Sequence, residues 1–98
     1  MIGIRVAFSD ASKLEERTKF HPQHKAHLSS APFRVLISGP ASLENSEATD
    51  AAFLVAEVDT LQDLKAFSDR DPFVVNKVYK DVRIFEWKPS LGDLVKAI

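Results

Sequence analysis

The chain contains no cysteine, only three glycines, and a single methionine, tryptophan and tyrosine. Without cysteine there is no disulfide scaffold, no thiolate nucleophile and no thiol-ligated zinc, a composition that suits a cytoplasmic protein. An excess of charge of one sign is also missing: 13 basic and 14 acidic residues, interspersed along the chain, leave a net charge of −1. Nucleic-acid binders displace phosphate counterions with a basic face, so this balance argues against a nucleic-acid partner. Long apolar runs are absent as well. The opening MIGIRVAFSD carries Arg5 where a leader needs an uncharged core, and no stretch approaches the ~18 apolar residues of a membrane helix. No membrane partner is expected.

What is present is ordinary globular material: 98 residues, 45% hydrophobic and 28% charged. That length and mixture predict one domain over residues 1–98. Ile2, Ile4, Val6 and Phe8 alternate with Gly3, Arg5 and Ala7, which predicts a strand over residues 2–8. Ser12-Lys13-Leu14-Glu15 reads as a capping box opening a first helix. Pro22 is expected to kink or restart that helix, pushing His21 off the helical path, and the restarted segment runs to about Ser30. A second strand is expected over Phe33–Ser38, closed by Gly39-Pro40, followed by a polar loop over residues 41–50. A third strand spans Ala52–Val58, and Thr60 caps a second helix with Leu61, Leu64 and Phe67 on its buried stripe. Asp71-Pro72 ends that helix, Val82–Lys88 forms a fourth strand, and Ser90–Asp93 caps a short C-terminal helix carrying Leu91, Leu94, Val95 and Ile98.

The order β-α-β-β-α-β plus a helical tail predicts a ferredoxin-like α+β domain with a four-stranded antiparallel sheet. Both helices then cover one sheet face. Three strands nonetheless place apolar residues on both faces: Phe33, Val35 and Ile37 against Leu36, Phe53 and Val55 against Leu54 and Val58, Val82 and Ile84 against Phe85 and Trp87. A second copy packed sheet against sheet is the expected cover, giving a homodimer, with a folded-back C-terminal helix as the alternative.

All three histidines fall in FHPQHKAHL, at positions 21, 24 and 27. Two-histidine metal sites on helices use i and i+4, His21 precedes a proline, and no cysteine supports the cluster, so neither a metal nor a cofactor is expected. His21 and His27 read as surface residues. His24 is open between a surface residue and a functional one, and the decision depends on an orienting partner from elsewhere in the chain. In Asp71-Pro72-Phe73 the carboxylate is placed to cap a helical turn with proline at its first position, and a capping carboxylate can still turn its other oxygen to a cleft.

HPQH followed by a helix, ISGP after the second strand, and DRDPFVVNKVYKDVRIFEW together resemble the YCII-related family, over nearly the whole chain. The resemblance implies a small dimeric ferredoxin-like protein of the dimeric α/β-barrel type. In it a first-helix histidine, here His24, pairs with the aspartate of the DP[FY] motif, here Asp71, in a cleft beside the sheet. A few relatives in that family are dehydrochlorinases acting on chlorinated hydroxyhydroquinones, and many have no assigned reaction. The implied function is acid–base catalysis, of lyase or isomerase type, on a small cyclic or aromatic oxygenated molecule. The rival is a non-catalytic module binding a small ligand or partner in the same cleft. Ser38, Gly39, Pro40 and Phe73 are candidates to line that cleft. Asp71 within hydrogen-bond reach of His24, with a cavity beside them, favours chemistry; an Asp71 that only caps its own turn favours the rival. Two departures stand out. Lys77 replaces a glycine usual in the family, leaving Asn76 to take any left-handed strain, and Ser29-Ser30-Ala31-Pro32 shortens the connection before the second strand.

Overall fold

The computed structural model describes residues 1–98. Its strands are β1 (Ile2–Ser9), β2 (Arg34–Ala41), β3 (Ala51–Glu57) and β4 (Tyr79–Trp87), and its helices α1 (Leu14–Ser29), α2 (Leu61–Asp69) and α3 (Pro72–Val75). The strands form one antiparallel sheet in the order β2-β3-β1-β4, the ferredoxin-like α+β arrangement.

The alternation in β1 is real, with the apolar residues turned outward from the helices. Gly3, Arg5 and Ala7 are buried beneath the helices, while Ile2, Ile4, Val6 and Phe8 face the other way. Gly3 lets α2 come close: a Cβ added there would lie 2.8 Å from Leu64 and 3.3 Å from Leu61. Thr60 caps α2 by accepting from the Asp63 N–H, and the helix buries Leu64 and Phe67 against Leu54, Ala56 and Val58. Side chains buried this deeply each resist truncation to alanine by about 2–5 kcal/mol. A second cluster joins Ala7, Phe73, Val78 and Tyr79.

Several local expectations are corrected. Asp10, not Ser12, caps the start of the first helical segment, accepting from the Ser12 N–H and hydroxyl; a 3-10 turn over Ala11–Lys13 leads into α1. Pro22 interrupts nothing. It sits inside α1 on the solvent side, where the Thr18 carbonyl that loses its N–H partner is open to water, so His21 stays on the helix. Gly39-Pro40 lies within β2 rather than closing it. β2 is an edge strand, which tolerates a residue without an N–H. A register shift between Val35 and Ile37 leaves Leu36 unpaired and turns Val35 toward the helices while Ile37 faces out, so the expected strict alternation fails there. The C-terminal helix reduces to a single 3-10 turn, Val95–Ala97, and Leu91 and Leu94 remain exposed. Gly92, at φ +123°, breaks that stretch.

The tail therefore does not cover the second sheet face. Ile4, Val6, Ile37, Phe53, Val55, Phe85 and Trp87 share that face by register, with Phe85 50% and Trp87 43% exposed.

After α3 the backbone turns left-handed at Lys77 itself, φ +60°; Asn76 stays at φ −96° and its side-chain amide donates to the Pro72 carbonyl. The left-handed region costs a residue with a Cβ about 1–2 kcal/mol relative to glycine, partly offset by glycine's freer unfolded chain. Lys77→Gly is expected to raise the unfolding free energy by about 0.5–1 kcal/mol in urea titration. An unchanged or lower midpoint would contradict this account of the turn.

Candidate active site

The site is organised around the Asp71 carboxylate. α2 ends at Asp69, and Asp71, in extended conformation, caps α3 by accepting from the Phe73 N–H at 2.9 Å, with Pro72 at the first helical position. The same oxygen, Oδ1, accepts from His24 Nδ1 at 2.7 Å, and Oδ2 accepts from the Arg5 guanidinium at 2.9 Å. Capping and pairing are thus performed by one carboxylate at once. Asp71 is fully buried and Arg5 is 2% exposed.

Burial alone would push the Asp71 carboxyl up. The hydrogen bonds from His24 and Phe73 and the charges of His24 and Arg5 outweigh it and hold the group below its ordinary range. An ionised Asp71 accepts, so His24 presents Nδ1–H to it and turns Nε2 away from the carboxylate. The His24 ring is stacked on Phe73, centroids 3.9 Å apart and planes 4° from parallel, which fixes its plane as well as its tautomer.

Beside this group, between α1 and the sheet, lies a cavity of about 280 Å³. His24 lines it, as do Ser38, Gly39, Pro40 and Phe73, so all the predicted lining residues border one space. Gly39 is not required by the chain itself, since an added Cβ would meet nothing within 4 Å.

The other histidines separate. His21 is exposed at the cavity wall, while His27, expected as a surface residue without a partner, is half-buried. Its Nε2–H donates to the Phe67 carbonyl at 2.8 Å and its ring stacks on Phe67. No group of three or more potential metal ligands converges anywhere in the chain.

Sequence reasoning missed Arg5, Arg17 and Tyr79, all of which border the cavity. The alternation in β1 separates Arg5 from the apolar stripe without saying which side is covered, and the Arg5 side is the buried one. Its neighbours Gly3 and Ala7 are the available signal: two small residues around one cation suit a strand face pressed beneath helices.

A four-stranded antiparallel sheet with helices on one face, bearing this cleft, defines a ferredoxin-like α+β protein of a recognisable kind. Residues 2–88 match the YCII-related domain, and the chain belongs to that family. Protein YciI of Escherichia coli and of Shigella flexneri are each 30% identical over 95 residues, covering 90% of this chain and 97% of theirs. Among solved structures, 5-chloro-2-hydroxyhydroquinone dehydrochlorinase from Burkholderia phenoliruptrix, in complex with 2,5-dihydroxybenzoquinone, is similar with a TM-score of 0.81 at 18% identity, covering 92% of this chain and 96% of that one. A NIPSNAP domain protein from Burkholderia xenovorans gives 0.53 at 14% identity, covering 91% and 93%. At these identities the structural likeness is one of fold. No helix is long and apolar enough to cross a membrane.

Removing the Asp71 charge strands Arg5 in the interior. Asp71→Asn is expected to cost about 3–5 kcal/mol of stability, and Arg5→Met combined with it less than the two changes separately. The pH dependence follows from the lowered carboxyl: its contribution is complete above the unfolded value of 3.8 and is lost as pH falls through the lower folded value. Chemical denaturation of wild type and variants between neutral and acid pH measures both effects.

Proposed function

We propose that this protein is an acid–base enzyme of the lyase or isomerase type, dehydrochlorinase-like in its chemistry, acting on a small cyclic or aromatic oxygenated molecule. One observation carries the reading: His24 is held by a buried carboxylate at 2.7 Å and borders a cavity sized for a single ring. A module that only binds a ligand has no need of a carboxylate oriented onto its histidine.

In the proposed step Nε2 of His24 takes a proton from substrate carbon. The C–H electron pair becomes the new double bond, and in an elimination the leaving group departs with its own pair; in an isomerisation the proton returns elsewhere on the substrate. Asp71 keeps the tautomer and stabilises the imidazolium formed on the way. Ser38, Gly39, Pro40 and Phe73 are assigned to substrate binding. The dehydrochlorinase of similar fold supports an aromatic substrate class. Residues 1–98 act as one domain in this reading, in the cytoplasm, where a cysteine-free chain is at no disadvantage.

His24→Ala is expected to lower kcat by about 10²–10⁴-fold on any compound turned over by the wild type, with circular dichroism and thermal unfolding used to check that the variant is folded. The assay is mass analysis of a metabolite panel that includes 5-chloro-2-hydroxyhydroquinone. Retained turnover in the variant removes the catalytic claim, and a ligand bound through His24 but never consumed assigns the cleft to the binding-module class.

The open apolar sheet face supports a second copy as partner, sheet against sheet. Light scattering is expected to give twice the 10.9 kDa chain mass, and Phe85→Glu to give the single-chain value. A monomeric wild type at micromolar concentration overturns the dimer.

A further inference from the structure

The charges around the cavity are one-sided. Arg5, Arg17, Lys25, His21 and His24 all line it, and no aspartate or glutamate does. Arg5 is already matched, because its guanidinium is bound to Asp71. Arg17 and Lys25 are not: neither forms an ion pair with any carboxylate of the chain. Lys25 is exposed and by itself signifies little. Arg17 is different. It is half-buried, its guanidinium lies 5.1 Å from the Phe73 ring centre, and its only hydrogen bond goes to the neutral hydroxyl of Ser9. Phe73 is the ring on which His24 is stacked, so one aromatic plate holds both the imidazole and the unmatched cation at the cavity.

A second feature comes from another element. Tyr79, at the start of β4, lines the same cavity and is only 5% exposed. Its ring packs edge-on to His24 and to Phe73, at 6.1 and 5.5 Å between centres. Yet its hydroxyl makes no hydrogen bond within the chain, and it is not sealed among the fully enclosed polar atoms that lack a partner, a set that contains only Arg5 Nε. A phenol at the cavity with no partner in the chain has its O–H free to donate to a ligand's acceptor in place of water.

We infer that the cleft takes its substrate as an oxyanion, a ring-bearing carboxylate or an ionised phenol or enol, with Arg17 as charge partner and Tyr79 as hydrogen-bond donor to the anionic oxygen. The inference deepens the proposed His24 chemistry: a cation and a donor that hold an oxyanion also hold the charge that builds up on oxygen when a neighbouring carbon loses its proton. Arg17 and Tyr79 are then specificity residues, and neutral analogues of the same shape are poor ligands.

The test is equilibrium binding by calorimetry, using pairs of equal shape and different charge. Benzoate is compared with benzamide, and 2,5-dihydroxybenzoquinone, ionised at neutral pH, with 2,5-dimethoxybenzoquinone. At least one anion is expected to bind about tenfold or more tightly than its neutral counterpart, the scale of a hydrogen bond to a charged group. Whichever pair shows the preference identifies the oxyanion as carboxylate or as phenolate and enolate. Arg17→Gln should abolish the preference with little change for the neutral compound, Arg17→Lys should keep part of it, and Tyr79→Phe should weaken the anion alone. Thermal unfolding of each variant confirms that the cleft is folded. Equal binding of both members of each pair by the wild type, no binding of either anion at millimolar concentration, or a preference that survives Arg17→Gln overturns the inference. Because the readout is equilibrium binding and not turnover, failure here leaves the His24 proposal standing, and failure of that proposal leaves an anion preference readable.

Discussion

The fold depends on one buried carboxylate accepting from three elements. Arg5 reaches Asp71 from the central strand β1, His24 from α1, and the Phe73 N–H from α3. This matters most for α1, which buries a single residue, His24, and otherwise presents Phe20, His27 and Leu28 to the interior only in part. An ordinary amphipathic helix is placed by apolar burial, which is tolerant of small shifts because it has no direction. Here the placement comes from a directional bond at 2.7 Å and a ring stack at 3.9 Å. Burying Arg5 and Asp71 together costs several kcal/mol of desolvation per ion, recovered only when geometry and hydrogen bonding are good. The core therefore gives up stability that an apolar trio of the same volume would supply, and gains a histidine whose position, plane and tautomer are set.

The DPF segment supplies two of these constraints from consecutive residues. Proline at the first helical position needs no N–H partner, and the aspartate before it is held extended, so its side chain folds back over the turn to meet the Phe73 N–H. That same turn carries the Phe73 ring up against His24. Capping satisfies only part of one oxygen's capacity, which is why a structural role for Asp71 and an orienting one coexist without competition. The turn then closes through a left-handed Lys77, with Asn76 tying back to Pro72. A lysine in that conformation shows that the geometry is imposed by what surrounds it rather than by local preference.

Much of this was legible in the residues, and the failures share a cause. The strands announced themselves by alternation, and the Thr60 and Asp71 caps by their side chains and spacing, because those signals are local. The pairing of His24 with Asp71 was legible only through family resemblance, since nothing between residues 24 and 71 records their proximity. Alternation alone does not say which side of β1 is covered, so Arg5 gave no signal; here the side bearing Ile2, Ile4, Val6 and Phe8 is the one that no helix covers. Pro22 was read as a break because its missing hydrogen bond matters inside a core, whereas on the solvent side of α1 water replaces the donor. His27 was read as a surface residue because its partner, the Phe67 carbonyl, is a backbone atom with no signature in sequence. The three-residue spacing that makes FHPQHKAHL conspicuous is incidental. The meaningful period is Phe20, His24, His27 and Leu28, one inward stripe of a helix.

The inverted use of the sheet bears on assembly as well. A monomeric protein of 10.9 kDa ordinarily exposes about 5,600 Å², and this chain exposes 6652 Å², roughly 1,000 Å² more. A standard protein interface covers about 800 Å² on each partner, close to that excess. Ile4, Val6, Phe85 and Trp87 lie by register on the side of the sheet that no helix covers, with the Arg83–Asp81 pair beside them. On the helix side Arg5, Asp71 and His24 share the interior with Leu54, Ala56 and Phe67, while the alternation in β1 turns Ile4 and Val6 outward. A partner sheet on that face would cover those residues, so the inward placement of Arg5, which turns Ile4 and Val6 the other way, would tie the proposed site and the proposed dimer to one feature of β1.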